Sequence, residues 1–550
     1  MPTIELGYRD LCSLIGKRIS PASLQESLMM LGMEAEISGK NIKLDIFHNR
    51  PDLLGPEGVA RALSGFLGIR AGLPEYSAGA PRLKVIVDRS VRRVRQFIAA
   101  GVVRGVRLND DAVASLMQVQ EKLHSSLCRS RRKGSIGVYD LDTIKPPVKY
   151  TTVGPDEIRF VPLDFQVDLT PREVLSKHPK GLEYGKLLEG LGAYPILIDS
   201  KGTVLSMPPI VNSEDTRVKK STKNLFIDVT GTDEKIVNRA LSIVMTGLAE
   251  RGFKLESVAV KYPNRTVVTP NLRPVKLNLK VEDVNRVLKL GLDAKSVARL
   301  AARMRYGSKA RGNKVEITIP PYRSDILHPI DIIEDLAIGY GYGKIQPTLP
   351  RVPTTGEKLE IETLCEKIRW TMVGLGFTEV ITYTLTSKKR NFDAMQTHGE
   401  AVEIENPISE DHEILRTSIL PSLMEVLREN RRNPLPQSIF EIGDAIKLNS
   451  GAETGAMEER MVSAVTIGEG LGLAYMKSVV SALTKELGAA AEFRPCDHPS
   501  FIDGRCAEIV LEGNGTGVLG EIHPKVISGF ELEYPVSAFE ISLQKIDGER

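Results

Sequence analysis

Hydrophobic positions follow two periods along the chain. LKVIVD (83 to 88), FIAAGVV (97 to 103) and YPILID (194 to 199) read as strands, and Asp111 to Leu127 reads as a helix, so residues 83 to 262 predict an α+β unit. Ile361, Leu364, Cys365, Ile368, Met372 and Leu375 fall on one helical face, and the strand-like FTEVITYTL follows them. Regular patterning lapses in three stretches rich in proline and glycine, at 72 to 82, 262 to 274 and 346 to 358. They divide the chain into four expected domains, at 1–82, 83–265, 266–348 and 349–550.

The first and third parts repeat one another. Residues 8 to 69 lie on 281 to 342 at a constant offset of 273 without a gap. Strand IKLDIF falls on VEITIP, Arg50 on Arg323, Asp52 on Asp325, Leu54 on Leu327, Pro56 on Pro329, Leu63 on Leu336 and Gly68 on Gly341. Each copy reads helix, helix, strand, tight turn, helix. Pro56 and Pro329 stand where the first turn of a helix tolerates proline, because that missing N–H has no intrahelical partner.

The second copy carries an acidic group that the first lacks. From Pro329 onward, Asp331, Glu334 and Asp335 are spaced i, i+3 and i+4, so they share a helix face, where the first copy has Gly58, Arg61 and Ala62. Acids near a helix N-terminus complement the dipole, for about 0.3 to 1 kcal/mol each. The other two readings are a docking surface for a basic partner and a site for a hard cation such as Mg²⁺, held by Asp325, Asp331, Glu334 and Asp335. Asp325 has Asp52 as its equivalent, and both can hydrogen-bond the turn.

Composition narrows the class. A chain of 550 residues with 42% hydrophobic and 26% charged content reads as several soluble domains, and no apolar run is long enough to cross a membrane. The N-terminus has no secretory pattern, so a cytoplasmic protein is expected. Five cysteines, far apart in sequence and without a CxxC pair, suit a reducing compartment. The formal net charge of +3 leaves any nucleic-acid contact to local patches.

YRSDILHPIDIIEDLAIGYGYGKI resembles the central module of the β subunit of phenylalanyl-tRNA synthetase, with its acidic magnesium cluster. HNRPDLLGPEGVARALSGFLG is similar to the N-terminal module of that family. QEKLHSSLCRSRRKGSIGVYDLD and SMPPIVNSEDTRV are similar to its editing domain, and ENPISEDHEILRTSILPSLMEVLRENRRN, SIFEIGDAI and GEIHPKVISGFELEYPVSAFEISL to its synthetase-like domain. The likeness runs nearly end to end and is to the short archaeal and eukaryotic form. It implies a multidomain α+β protein with two repeated helical modules, an α+β editing domain and a class II synthetase-like antiparallel-sheet domain without catalytic motifs.

In activity, the resemblance implies a β chain that supports ATP-dependent attachment of phenylalanine to tRNA-Phe in a complex of two α and two β chains, and that hydrolyses mischarged tyrosyl-tRNA. Residues 356 to 550 hold no convincing catalytic motif: their only Glu-Arg pairs, Glu459-Arg460 and Glu549-Arg550, lack a preceding Gly-rich strand. Aminoacylation is therefore expected on α, with Leu415, Ile419, Leu420, Leu423 and Leu427 of this chain serving core and α-facing packing. By resemblance, Gln120, Glu121, Arg131, Leu197, Ser206 and Asp228 line the editing pocket and Asn212 joins them as a polar candidate, with Asp228 the first choice for substrate recognition and Glu121 the second. Alone on loops and helices, such residues are ordinarily caps, turn formers or solvated surface. RSRRKG (129 to 134), with Arg92, Arg93 and Arg95, is placed to hold tRNA phosphates. No Ser/His/Asp pattern is present, which favours direct attack by water. The rivals are a stand-alone aminoacyl-tRNA deacylase and a non-enzymatic nucleic-acid-binding scaffold. The synthetase-like domain argues against the first, and the mixed or acidic faces of the repeats against the second.

Overall fold

The computed structural model describes residues 2–350, 352 and 354–544, so the Glu549-Arg550 pair lies outside the described residues. The chain folds as two compact units that divide between residues 349 and 350.

Both copies of the repeat lie in the first unit and have matching elements. Helices Tyr8–Ile15, Pro21–Met30 and Pro56–Phe66 correspond to Val281–Leu288, Ala294–Arg303 and Pro329–Tyr340. The structure adds what the helical reading lacked. In each copy the helices pack on a three-stranded antiparallel sheet, ordered Thr3–Gly7, Asn41–Asp45, Glu34–Ser38 in one and Val275–Lys280, Lys314–Ile319, Gly307–Arg311 in the other. The central strand of each sheet is the one the sequence shows; the outer ones are five or six residues long and mix charged with apolar positions, which hides them beside strong helical periods.

The two copies meet face to face. A small cavity at their junction is lined by equivalent residues from each, Leu31 with Met304 and Arg50 with Arg323. Gly65 is obligatory at this crossing, since a Cβ there would stand 2.5 Å from the Arg303 carbonyl oxygen.

Their outer faces differ sharply. Pro51 through Ala60 are all buried, and helices Asp110–Ser125 and Glu234–Glu250 line the same small cavity as Leu54, Glu57 and Arg61. Glu57 accepts a hydrogen bond from the Ser115 hydroxyl at 2.9 Å and is paired with Arg251. The equivalent face of the second copy is open: Leu54 is 1% exposed and Leu327 is 80% exposed.

The rest of the first unit is a ten-stranded mixed sheet. Its main path runs Val211–Asn212, Val204–Met207, Tyr194–Ile198, Val148–Val153, Ala78–Val87, Lys254–Lys261, Phe97–Arg104, Asn224–Gly231, Gly134–Asp140, with Thr266–Thr269 added beside Lys254–Lys261. The sheet rolls until its two ends approach. Asn212 Nδ2 donates to the Val138 carbonyl at 3.3 Å, and the Tyr139 hydroxyl lies 2.8 Å from Ser206 Oγ.

The second unit is built on a seven-stranded sheet, ordered Thr378–Glu379, Gln437–Leu448, Ala456–Ile467, Val536–Ser542, Asn514–Ile522, Phe501–Leu511, Ala491–Pro495. It is antiparallel except at the first pair. Alternation along Ala456–Ile467 feeds two cores, Val462 and Ala464 packing with Met372 and Met476, and Met461 and Val465 packing with Leu423 and Leu427. Ile419, Leu420, Leu423 and Leu427 are thus interior, so for these four the expectation of α-facing packing is corrected to core alone, while Leu415 is half-buried. The exposed large apolar side chains of this unit are instead residues such as Trp370, Ile381, Tyr383 and Ile408. Cys496, just past strand Ala491–Pro495, and Cys506 on strand Phe501–Leu511 stand 3.1 Å apart as free thiols. Among the described residues no helix is long and apolar enough to cross a membrane.

Candidate functional site

A cavity of about 420 Å³ opens where the rolled sheet nearly closes on itself. Helix Asp110–Ser125 supplies Gln120, Glu121 and His124, strand Gly134–Asp140 supplies Gly137 and Tyr139, and the segment after Val204–Met207 supplies the opposite wall. Six of the seven expected pocket residues line it: Gln120, Glu121, Arg131, Ser206, Asn212 and Asp228. Leu197 does not. It pairs with Ser206 in register but has no exposed surface, and belongs to the apolar cluster behind the cavity with Tyr139 and Phe226.

Asp228 is 1% exposed on strand Asn224–Gly231, next to the last strand in the path of the sheet. Burial pushes its carboxyl up to about 7, against the opposing pull of the Tyr139 hydrogen bond and the Arg95 charge. The Tyr139 hydroxyl lies 2.6 Å from Asp228 Oδ1 and 2.8 Å from Ser206 Oγ, so one phenol joins the two expected residues across the seam of the sheet. Gly137, opposite Asp228 in register, makes room for this approach. A Cβ there would fall 2.0 Å from the Tyr139 oxygen and 2.4 Å from Asp228 Oδ1.

On the other wall, Arg131 is buried with one nitrogen donating to the Pro209 and Ile210 carbonyls and another to Glu121 Oε1 at 2.9 Å. Its backbone continues a left-handed run at Arg129, Ser130 and Arg131, with φ of 52°, 51° and 63°, a conformation that costs non-glycine residues of order 1–3 kcal/mol each. Arg95, also buried, donates to the Arg131 carbonyl and to Thr230. Both arginines are therefore committed inside, and the phosphate-facing reading is left with exposed Arg92, Arg93, Arg129 and Arg132.

His124 belongs to the last turn of the helix. Its Nε2 accepts the Ile136 N–H at 2.8 Å, which places the proton of the neutral ring on Nδ1, 3.5 Å from Glu121 Oε1. Burial lowers its basicity, while His124 and Arg131 pull Glu121 down to about 2. Gln120 donates to the Ile136 carbonyl at 2.8 Å, so it is anchored rather than solvated. Ser206 is engaged by Tyr139, and the two histidines of the cavity, His124 and His178, bond backbone groups of Ile136, Leu163 and Lys180 rather than a serine.

The acidic group of the second copy is arranged differently from a cation site. Arg323 holds Asp325 at 2.6 Å and Asp335 at 2.7 Å, and Asp335 also receives the Tyr306 hydroxyl. Asp331 Oδ2 accepts the Leu327 and His328 N–H groups at 2.7 Å each, closing the turn before the helix, and Glu334 is exposed. Among the described residues no group of three or more acidic, histidine or cysteine side chains is placed to hold a metal. A buried guanidinium thus neutralises Asp325 and Asp335, and Asp331 serves the turn. The corresponding turn of the first copy manages without the aspartate: a Cβ at Gly58 would stand 1.8 Å from the Asp52 carbonyl oxygen.

Three family models match the chain: the B3/4 domain over residues 106–257, the tRNA synthetase B5 domain over 277–342, and the phenylalanyl tRNA synthetase beta chain CLM domain over 345–543. Among curated relatives, the phenylalanine–tRNA ligase beta subunit of Methanothrix thermoacetophila is 43% identical over 99% of this chain and 100% of its own length. That of Archaeoglobus fulgidus is 44% identical over 99% and 98%, and that of Methanocaldococcus jannaschii 41% identical over 99% and 100%. A solved N-terminal fragment of the phenylalanyl-tRNA synthetase beta subunit from Pyrococcus horikoshii superposes with a TM-score of 0.60 at 39% identity, covering 62% of this chain and 99% of the fragment.

Proposed function

The chain belongs to the family of phenylalanine–tRNA ligase β subunits, and from that premise we propose that its cavity hydrolyses tyrosine wrongly esterified to tRNA-Phe. It acts in translation as part of an ATP-dependent aminoacyl-tRNA ligase, together with an α subunit and tRNA. Our reading of the complex is two α and two β chains, with aminoacylation on α. In support, Arg416, the one buried arginine of the second unit among the described residues, is consumed by Glu441, Thr382 and the Asp444 carbonyl and is not free for a nucleotide.

The need for editing is physical: an apolar pocket rejects a substrate with one added hydroxyl by only about a hundredfold. A second site that selects tyrosine must bury polar partners which phenylalanine would leave unpaired. The observation that carries the proposal is the buried cluster of Asp228, Tyr139 and Ser206 on the wall of the cavity. Asp228 accepts the substrate phenol. The ester is attacked by water, since Ser206 is committed to Tyr139, and His124 already receives the Ile136 amide on Nε2. Gln120, Glu121, Arg131 and Asn212 hold the ester and the terminal nucleotide. The α subunit docks on exposed apolar side chains of the second unit such as Trp370, Ile381, Tyr383 and Ile408, and on the open face of the second copy that carries Leu327 and Glu334, whose counterpart in the first copy is covered within the chain itself. No step of the reaction is assigned to a metal held by this chain.

The test is Asp228→Ala in the assembled ligase. Tyrosyl-tRNA-Phe should accumulate roughly tenfold or more while phenylalanine activation keeps its rate. Unchanged mischarging removes Asp228 from the site.

A further inference from the structure

Tyr139 lies within the stretch QEKLHSSLCRSRRKGSIGVYDLD that carries the editing-domain likeness, and nothing in that likeness singles it out. Its ring is tilted against Phe226 with centroids 5.8 Å apart, and the residue is 1% exposed. Its hydroxyl nevertheless lies on the cavity wall between two oxygens brought from opposite ends of the rolled sheet. A carboxylate only accepts hydrogen bonds, so with Asp228 ionised the order is fixed: Tyr139 donates to Asp228 Oδ1 and Ser206 donates to Tyr139. Among the described residues Asp228 has no other hydrogen-bond partner, so Oδ2 is the acceptor left for a ligand.

Resting on the editing reading above, we infer that Tyr139 is a positioning residue for tyrosine selection: its hydroxyl fixes Asp228 as a hydrogen-bond acceptor facing the cavity. A tyrosine substrate donates its phenol proton to Oδ2, whereas phenylalanine strands a buried carboxylate without that bond. Three groups act on Asp228. The Tyr139 hydrogen bond and the Arg95 charge favour its ionised form, and the buried phenol of Tyr150 is near enough to feel its charge. Removing the Tyr139 hydroxyl deletes the only hydrogen bond among these, so the acid holds its proton to higher pH. A neutral acid is cheaper to leave unpaired, and discrimination falls.

The experiment measures hydrolysis of tyrosyl-tRNA-Phe by the assembled ligase across pH 5 to 9 for wild type, Tyr139→Phe, Ser206→Ala and Asp228→Ala. In wild type, activity should rise with pH through a limb near neutrality. In Tyr139→Phe that limb should move to higher pH, and KM should rise roughly tenfold with kcat within about twofold, the signature of lost binding rather than lost chemistry. Ser206→Ala, which keeps the phenol but removes its donor, should move the limb the same way by less, and it decides the matter if Tyr139→Phe does not fold. A limb and KM unmoved in both variants, with Asp228→Ala inactive toward tyrosine, would overturn the role of Tyr139 while leaving the editing site intact. No hydrolysis by wild type, or full hydrolysis by Asp228→Ala, would overturn the editing reading itself and Tyr139 with it.

Discussion

Asp228 is an expensive residue to keep. Its carboxyl titrates near 7 when folded because burial opposes its charge, against about 4 when unfolded. The native state therefore holds the proton longer than the unfolded state, and stability falls as pH rises between these two values and levels off above them. Asp228→Asn removes the penalty. The advantage of the variant over wild type, read by hydrogen exchange of the amides of Asn224–Gly231, should grow by roughly 2–3 kcal/mol between pH 5 and pH 8. An advantage independent of pH would mean that the acid is not strained by burial. Residues of this kind were legible only through family likeness, since a lone Asp in VTG-flanked sequence reads as a turn former. Tyr139 was not legible at all, because a tyrosine in an apolar strand has the pattern of core. Leu197 shows the limit of strand reading: Tyr194–Ile198 is buried on both faces, so alternation cannot say which side reaches the cavity.

At the scale of elements, the repeat was visible because its constant offset preserved helix starts, the two prolines and the Arg–Asp turns. What each copy does with its turn was not. The first holds it by close backbone packing at Gly58 and the second by the carboxylate of Asp331, so an acid that reads as a metal ligand has a local structural job. Asp335 likewise serves Arg323 and Tyr306. The crossing of the copies can be tested at Gly65. Gly65→Ala improves helix propensity yet drives a Cβ into the Arg303 carbonyl and the Arg305 side chain. It should destabilise the first unit by about 1–3 kcal/mol in chemical denaturation, and a stabilising effect would show that the junction is loosely packed.

In the whole molecule, the rolled sheet makes the cavity and the two repeats flank it in sequence, while the second unit carries an antiparallel sheet with apolar side chains left exposed. Punctuation and period changes lead to an expectation of four parts where the contacts give two compact units, and the closure of a ten-stranded sheet on itself depends on contacts such as Tyr139 to Ser206, 67 residues apart, which no local pattern encodes. The central claim is that this cavity selects tyrosine on tRNA-Phe and removes it. The most direct measurement follows deacylation of tRNA-Phe charged with tyrosine and with phenylalanine, by the chain alone and with its α partner. Rapid loss of tyrosine and retention of phenylalanine are expected in the complex. Cleavage of neither ester in the complex, or of both at equal rates, would contradict it.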